Sequence, residues 1–595
     1  MPKKRNEIEQ KYKWAIEDIY ENDKIWEEDF KRMSKLLPSL GEYKTKFTKD
    51  VESLFSAFKV FEEAQKLGER LFVYARMKRD ENSANSLYQG MTDRALSLNI
   101  QMSSALSFIS PELLKKEEAE LLGFLEDHEG LRDEYDFTIK NLIRRKPHVL
   151  SEKEEKLLSM SSEFASGAKS IFTMLNNADM KFGTIDADGE EKELSHATYI
   201  GFMQDKNRQT RKNAYEKLYT KYRDNINTIA ATYSTSIKKD VFYANSREFS
   251  SALESSLHSD NVPKELYDNL ISVVHENLST MYDYIKLRKK VLKIDDLGMH
   301  DVYAPLVPDA KGEYSIEKSK EMVKTALEPL GKDYASLLDL SYEERWIDVF
   351  ENEGKLSGAY SWGTYGIHPF VLLNHRGDLD SVYTLAHELG HAMHTYYANE
   401  TQPYSKSEYT IFVAEVASTV NEILLTKYLL KTEKDMEKRK YILNHYIDQF
   451  KGTVLRQTMF AEFEKISHSM QENGEPLTAE SLSEKYLELN KLYYGPEMDS
   501  DEKIAAEWAR IPHFYNAFYV YKYATGFSCA IAIANAIESE GSPAVDRYKD
   551  FLRSGGSDYP LELLKKAGVD LRSGEPVKDC MAEFKRAVDE FSKLF

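Results

Sequence analysis

Residues 385–397 read LAHELGHAMHTYY, and three of the chain's 14 histidines fall within them. At about 3.6 residues per turn, His387 and His391 stack on one helix face, close enough to share a metal ion. Glu388 completes the pattern His-Glu-x-x-His, in which two imidazoles ligate zinc and the carboxylate lies beside the water that attacks. His394 adds a third imidazole to that side. Val382, Leu385, Ala386, Leu389, Met393 and Tyr396 recur as an apolar face, and Asp378 or Asp380 is placed to cap the helix. The plainer alternative is a solvated polar face that binds no metal.

Catalytic zinc keeps three protein ligands and an open position, so the pattern requires one more. The extended pattern HExxHxxGxxH needs glycine at position 394 and histidine at 397, where this chain has His394 and Tyr397. A later carboxylate is the remaining choice, from Glu400, Glu408, Glu415 or Glu422. In TIFVAEVASTVNEILLTKYLL, residues 410–430, Val413, Val416, Ala417, Val420, Ile423 and Leu424 form an apolar helix face, with Glu415, Ser418, Thr419 and Glu422 on the other side. Spacing leaves Glu415 and Glu422 equal.

A second chemical stretch is IPHFYNAFYVYKYATGF, residues 511–527. Read as a helix, it sets Tyr515, Tyr519 and Tyr523 on one side and Phe514, Phe518 and Tyr521 on the other, so one face can be buried while the other lines a cleft. His513 and one or two phenols could donate hydrogen bonds to the oxyanion of a tetrahedral intermediate, or the aromatic rings could simply pack a core. His368 lies in a Gly- and aromatic-rich section, 345–378, expected to form a small sheet. It reads as structural or substrate-lining, and the strand could pair with an extended peptide.

These groups belong to a chain of 595 residues, 42% apolar and 30% charged, with little glycine or proline, which implies an ordered, helix-rich globular protein. Amphipathic helical segments fill residues 7 to about 180. A strand signal at 180–194, with Asp188-Gly189 at a hairpin turn, puts a domain boundary near 195, between a helical N-terminal domain, 1–195, and a catalytic domain, 196–595. Helical patterns resume from 196 to 345, broken by a Pro- and Gly-containing section at 301–315. The net charge of -19 opposes binding to nucleic acid or anionic membranes. Cys529 and Cys580 suit a reducing compartment and inert packing, the N-terminus lacks an apolar signal region, and TGFSCAIAIANAI from 525 is too short to span a bilayer. A cytoplasmic location is expected. No dinucleotide fingerprint or P-loop is present, so no nucleotide cofactor is expected.

HELGHAMH followed by FVAEVAST resembles the thimet-oligopeptidase-like family of zinc peptidases. RIPHFYNAFYVYKYATG together with SGAYSWGTYGIHPFVLLN resembles its oligoendopeptidase F branch. The resemblance covers most of the chain after about residue 195 and, more loosely, the helical part before it. It implies a mostly α fold, a large two-lobed helical body with a small β-sheet beside a deep active-site channel that admits unfolded oligopeptides. It further implies one zinc ion per chain on His387, His391 and Glu415, with Glu422 supporting them, Glu388 as base, and His513, Tyr515 and Tyr519 at the oxyanion. The expected activity is zinc-dependent hydrolysis of internal bonds in short oligopeptides. A metal-dependent hydrolase of non-peptide amides could use the same residues, and a non-catalytic helical interaction protein would carry no metal.

Overall fold

The computed structural model describes residues 3–187, 189–307 and 312–595. It is mostly α-helical with two small sheets. Two compact units form, each assembled from segments far apart in sequence. The first comprises Met1–Pro147, Lys311–Tyr428 and Ile533–Val569, and the second His148–Ala310, Leu429–Ala532 and Asp570–Phe595. Residue 195 lies within the second unit.

In the second unit, β1 (Thr184–Ala187) and β2 (Glu190–Glu193) form the expected antiparallel hairpin, with Ala187 opposite Glu190. Gly189 has φ 82°, a conformation that glycine adopts without strain. Asp188, the other residue expected in that turn, lies outside the described residues, as do residues 308–311 of the interruption at 301–315. The unit's core is partly polar: fully buried Glu507 accepts bonds from Arg456 at 2.6 Å and Tyr486 at 2.6 Å. Burial opposes its charge, but the guanidinium groups of Arg456 and Arg510 hold its carboxyl at about 2.

In the first unit, β3 (Ile347–Asp348), β4 (Tyr360–Trp362) and β5 (Phe370–Leu372) form the small sheet expected from residues 345–378. β5 is central, parallel to β3 and antiparallel to β4, which leaves β4 at one edge. Phe370 and Leu372 are fully buried and join the same core as Trp14, Trp26 and Phe61 of the N-terminal helical region. Asp348 anchors the sheet: Lys355 reaches it at 2.7 Å and Arg5, near the N-terminus, at 2.6 Å. Among the described residues, no helix is long and apolar enough to cross a membrane.

Candidate metal centre

One helix, Leu379–Thr401, carries the HELGH residues, and Asp378 caps it by accepting a hydrogen bond from the Ser381 amide at 2.8 Å. Val382, Leu385, Ala386, Leu389 and Met393 are fully buried along the expected face. A second helix, Ile411–Thr432, buries Val413, Val416, Ala417, Val420 and Ile423 as completely. Three contacts fix their mutual register. The Tyr383 and Thr426 hydroxyls meet at 3.0 Å, Asn421 Nδ2 donates to the Ala386 carbonyl at 3.0 Å, and Gly390 lies against the backbone of Ala417 and Ser418. A step forward on one helix is a step back on the other, so they run antiparallel. His387 is thereby set opposite Glu422, and His391 opposite the turn containing Glu415.

Gly390 is essential to this register. A Cβ there would fall onto Ser418 Cα and within 2.7 Å of the Ala417 carbonyl oxygen, with only backbone to yield. Gly390→Ala is therefore expected to destabilise the protein by about 1–3 kcal/mol, the usual penalty of overpacking. Denaturant unfolding measures this, and an unchanged midpoint would mean that the helices separate freely.

The helix pair brings His387 Nε2, His391 Nε2 and Glu415 Oε2 into a triangle with edges of 3.2, 3.4 and 3.5 Å. Tetrahedral ligands about 2.0–2.2 Å from zinc stand roughly 3.3–3.6 Å apart, so this donor set fits that ion in both chemistry and size. It is the one group of three or more His, Cys, Asp or Glu side chains among the described residues with ligand atoms so close together. On its far side, His387 Nδ1 meets Glu422 Oε1 at 2.5 Å. That bond places the ring proton on Nδ1 and leaves Nε2 free to ligate.

The electrostatics favour a cation. Burial opposes charge on His387, but its bonds to Glu415 and Glu422 raise its pKa to about 10, while His387 and His391 hold Glu415 well below the carboxylate range. Glu388 is only 7% exposed, and burial raises its pKa despite the two neighbouring imidazoles.

His394 does not share the polar side expected for it. It is fully buried, burial lowers its pKa to about 3, and its ring stacks on Tyr409 at 3.7 Å. Helical angle alone sets it near His387, but Tyr409 and Phe551 cover it. His368 is likewise a packing residue, stacked on Trp346 at 5.0 Å and bonded to Asp18 at 3.0 Å.

The aromatic stretch, within the second unit, is not one helix. A 3₁₀ turn, Pro512–Tyr515, is followed by Phe518 in a left-handed conformation, φ 57°, and the helix begins at Tyr521. The break regroups the side chains. His513 lies 6.4 Å from the Tyr519 ring and 6.1 Å from the Tyr523 ring, and those two rings are 5.4 Å apart. Tyr515, expected with His513 and Tyr519, instead enters the core: its hydroxyl meets Thr232 at 2.7 Å and its ring stacks on Phe172 at 4.4 Å. The four-residue step from Tyr519 to Tyr523 was the signal available for the regrouped pair. Cys529 and Cys580 are both buried and unpaired, and burial pushes both thiols up.

The chain is similar to named oligopeptidases over nearly its whole length. It is 44% identical to oligopeptidase PepF of Bacillus subtilis, across 99% of this chain and 88% of that protein. Two solved structures superpose on it. One, from Chlamydophila abortus, has a TM-score of 0.93 and 34% identity and covers 100% of both chains. The other, oligoendopeptidase-F from Enterococcus faecium, has a TM-score of 0.75 and 36% identity and covers 96% of this chain and 99% of that one. An oligopeptidase F family model matches residues 112–182, and the model of peptidase family M3 matches residues 201–583, which include the triangle and Glu388. The chain belongs to peptidase family M3 and is a peptidase.

Proposed function

We propose that this peptidase is a zinc-dependent oligoendopeptidase acting on internal bonds of short peptides, with His387, His391 and Glu415 as zinc ligands. The observation that carries the reading is the triangle of ligand atoms, with buried Glu388 on the same helix as its two histidines. A zinc ion in that set supplies a Lewis acid for the scissile carbonyl and makes water easier to deprotonate.

Glu388 then takes the proton of the attacking water and gives it to the leaving amine. Its raised pKa suits both halves of that transfer, because a carboxylate closer to neutrality is a better base and then a usable acid. Glu422 holds the His387 ring and tautomer. β4 supports substrate alignment: it is an edge strand packed against the histidine helix, and its outer edge suits an extended peptide.

Of His513, Tyr515 and Tyr519, which the sequence resemblance assigns to oxyanion stabilisation, His513 and Tyr519 keep that role in this proposal, while Tyr515 is taken as a core residue. Tyr519→Phe is expected to lower kcat about 100-fold, the lower end of what loss of one oxyanion donor costs. Tyr515→Phe should leave kcat within about threefold and cost only about 0.5–1.5 kcal/mol of stability, the worth of one buried hydrogen bond. Steady-state kinetics and unfolding of both variants decide this, and a reversed order of the kcat losses would return Tyr515 to the site.

The unpaired cysteines support a reducing, cytoplasmic location. The first experiment is elemental analysis with cleavage of a quenched fluorescent oligopeptide, with and without chelator. About one zinc per chain and chelator-sensitive internal cleavage are expected. Cleavage of small acyl amides but not of peptides would overturn the substrate class, and protein that neither holds zinc nor is activated by it would overturn the mechanism.

A further inference from the structure

Two of the three histidines in LAHELGHAMHTYY reach the triangle, which leaves the third without a role. Neither ring nitrogen of His394 has a hydrogen-bond partner, although the side chain is fully buried. Buried polar atoms are rarely left so. What the ring does make is a nearly parallel stack on Tyr409, 3.7 Å between centroids and 8° between planes, with Phe551 at 5.1 Å. Thr395, the next residue on the helix, meets the Tyr409 hydroxyl at 2.9 Å.

Tyr409 stands just before the helix that carries Glu415. The connection leading to it is gripped elsewhere by residues 553–556. Thr401 Oγ1 and Gln402 Nε2 both donate to the Arg553 carbonyl, at 2.7 and 2.8 Å, and the Gly556 amide donates to the Lys406 carbonyl at 2.7 Å. Gly556 also leaves room for the chain itself. A Cβ there would run into the Glu408 carbonyl oxygen and lie 3.5 Å from Tyr409 Cα. At Gly555, φ 50°, a Cβ would lie 2.5 Å from the Lys406 carbonyl oxygen.

We infer that His394 and Gly556 are positioning residues for Glu415, holding the connection between the two helices at Glu408 and Tyr409 so that the glutamate helix starts where its carboxylate meets both imidazoles. The inference rests on the reading of His387, His391 and Glu415 as zinc ligands. In it His394 works as a flat plate. Its nitrogens take no hydrogen bond from another protein group, and burial favours the neutral ring. Nothing in the stack requires a histidine rather than another planar ring.

The test uses the full chain and four variants, Gly556→Ala, His394→Ala, His394→Phe and Glu415→Ala, with the first two also combined with the last. Zinc affinity is measured by competition with low-affinity chromophoric indicators, and the Tm of the metal-free protein is measured alongside. Gly556→Ala and His394→Ala are each expected to weaken zinc binding about tenfold or more, the scale on which groups that orient ligands act. His394→Phe should keep affinity within about threefold of the original, because the stack survives while no ligand-orienting bond is removed.

The deciding comparison is the double variant. Residues that act through Glu415 should weaken zinc no further once Glu415→Ala has removed it, since effects through a shared partner do not add. Full additivity would overturn the inference, as would a His394→Phe protein that binds zinc as poorly as His394→Ala at the same Tm. A starting protein that binds no zinc would instead sink the ligand reading, which is a separate result.

Discussion

Glu388→Gln is expected to retain one zinc per chain and lose about 10²- to 10⁴-fold in kcat, the range attributed to a positioned general base. That loss corresponds to roughly 2.7–5.5 kcal/mol of barrier. Gln has nearly the shape of Glu, and burial already works against the charge on Glu388, so the fold should be unharmed and Tm equal or higher. This combination separates chemistry from structure: a fall in kcat alongside a lower Tm or lost zinc would point to damage. Measuring kcat, zinc content and Tm on one preparation is enough. Activity within a few fold of the original would remove Glu388 from the mechanism.

How much of this site a reader of the sequence could anticipate depends on the range over which each contact acts. His387, Glu388 and His391 are related by the helix repeat, so their common face follows from four residues of spacing. The sheet at 345–378 and the hairpin near 190 were legible for the same reason, since turn glycines and alternating residues are local signals. Glu415 against Glu422 was different. Both lie on one polar face, and spacing offers no choice; the difference arises from register, set by Gly390 against Ser418 and Asn421 against Ala386, contacts between helices. The two carboxylates consequently take different atoms, Glu415 near the Nε2 pair and Glu422 at Nδ1 of His387.

Where the reading from spacing failed, a tertiary contact had displaced a local rule. His394 has the helical angle of a polar residue, but exposure is decided by what lies above it, and Tyr409 comes from the following connection. The segment 511–527 has the period of a helix, yet Phe518 carries a positive φ that bulky residues rarely adopt. Its amide donates to fully buried Glu464 at 3.0 Å, from another helix, which helps to hold the turn. No feature of Phe518 itself announces that partner. Pro512 gave no warning, because proline fits the first turn of a helix and the break lies after it, around Phe518.

The other large effect concerns metal retention, and it ranks the two glutamates. Glu415→Ala removes one corner of the triangle and should weaken zinc binding by more than about 100-fold, beyond the 10- to 100-fold expected when a supporting residue is lost. Glu422→Ala should fall inside that lower range. Its carboxylate meets the far nitrogen of His387, so on the proposed ligand set removing it leaves three ligands but frees the ring to turn and to carry its proton on Nε2, the nitrogen proposed to bind zinc. The two losses therefore differ in kind. On the proposed ligand set, Glu415→Ala changes the number of ligands, whereas Glu422→Ala changes the fraction of chains in which His387 is ready to bind. A Glu422→Gln variant extends the test, because its amide oxygen can still accept from Nδ1 and should restore much of the affinity, while Glu415→Gln, a poor zinc ligand, should not. Zinc dissociation constants for the four variants check the ranking, and stronger zinc loss in Glu422→Ala than in Glu415→Ala would show that Glu422, not Glu415, is the third ligand.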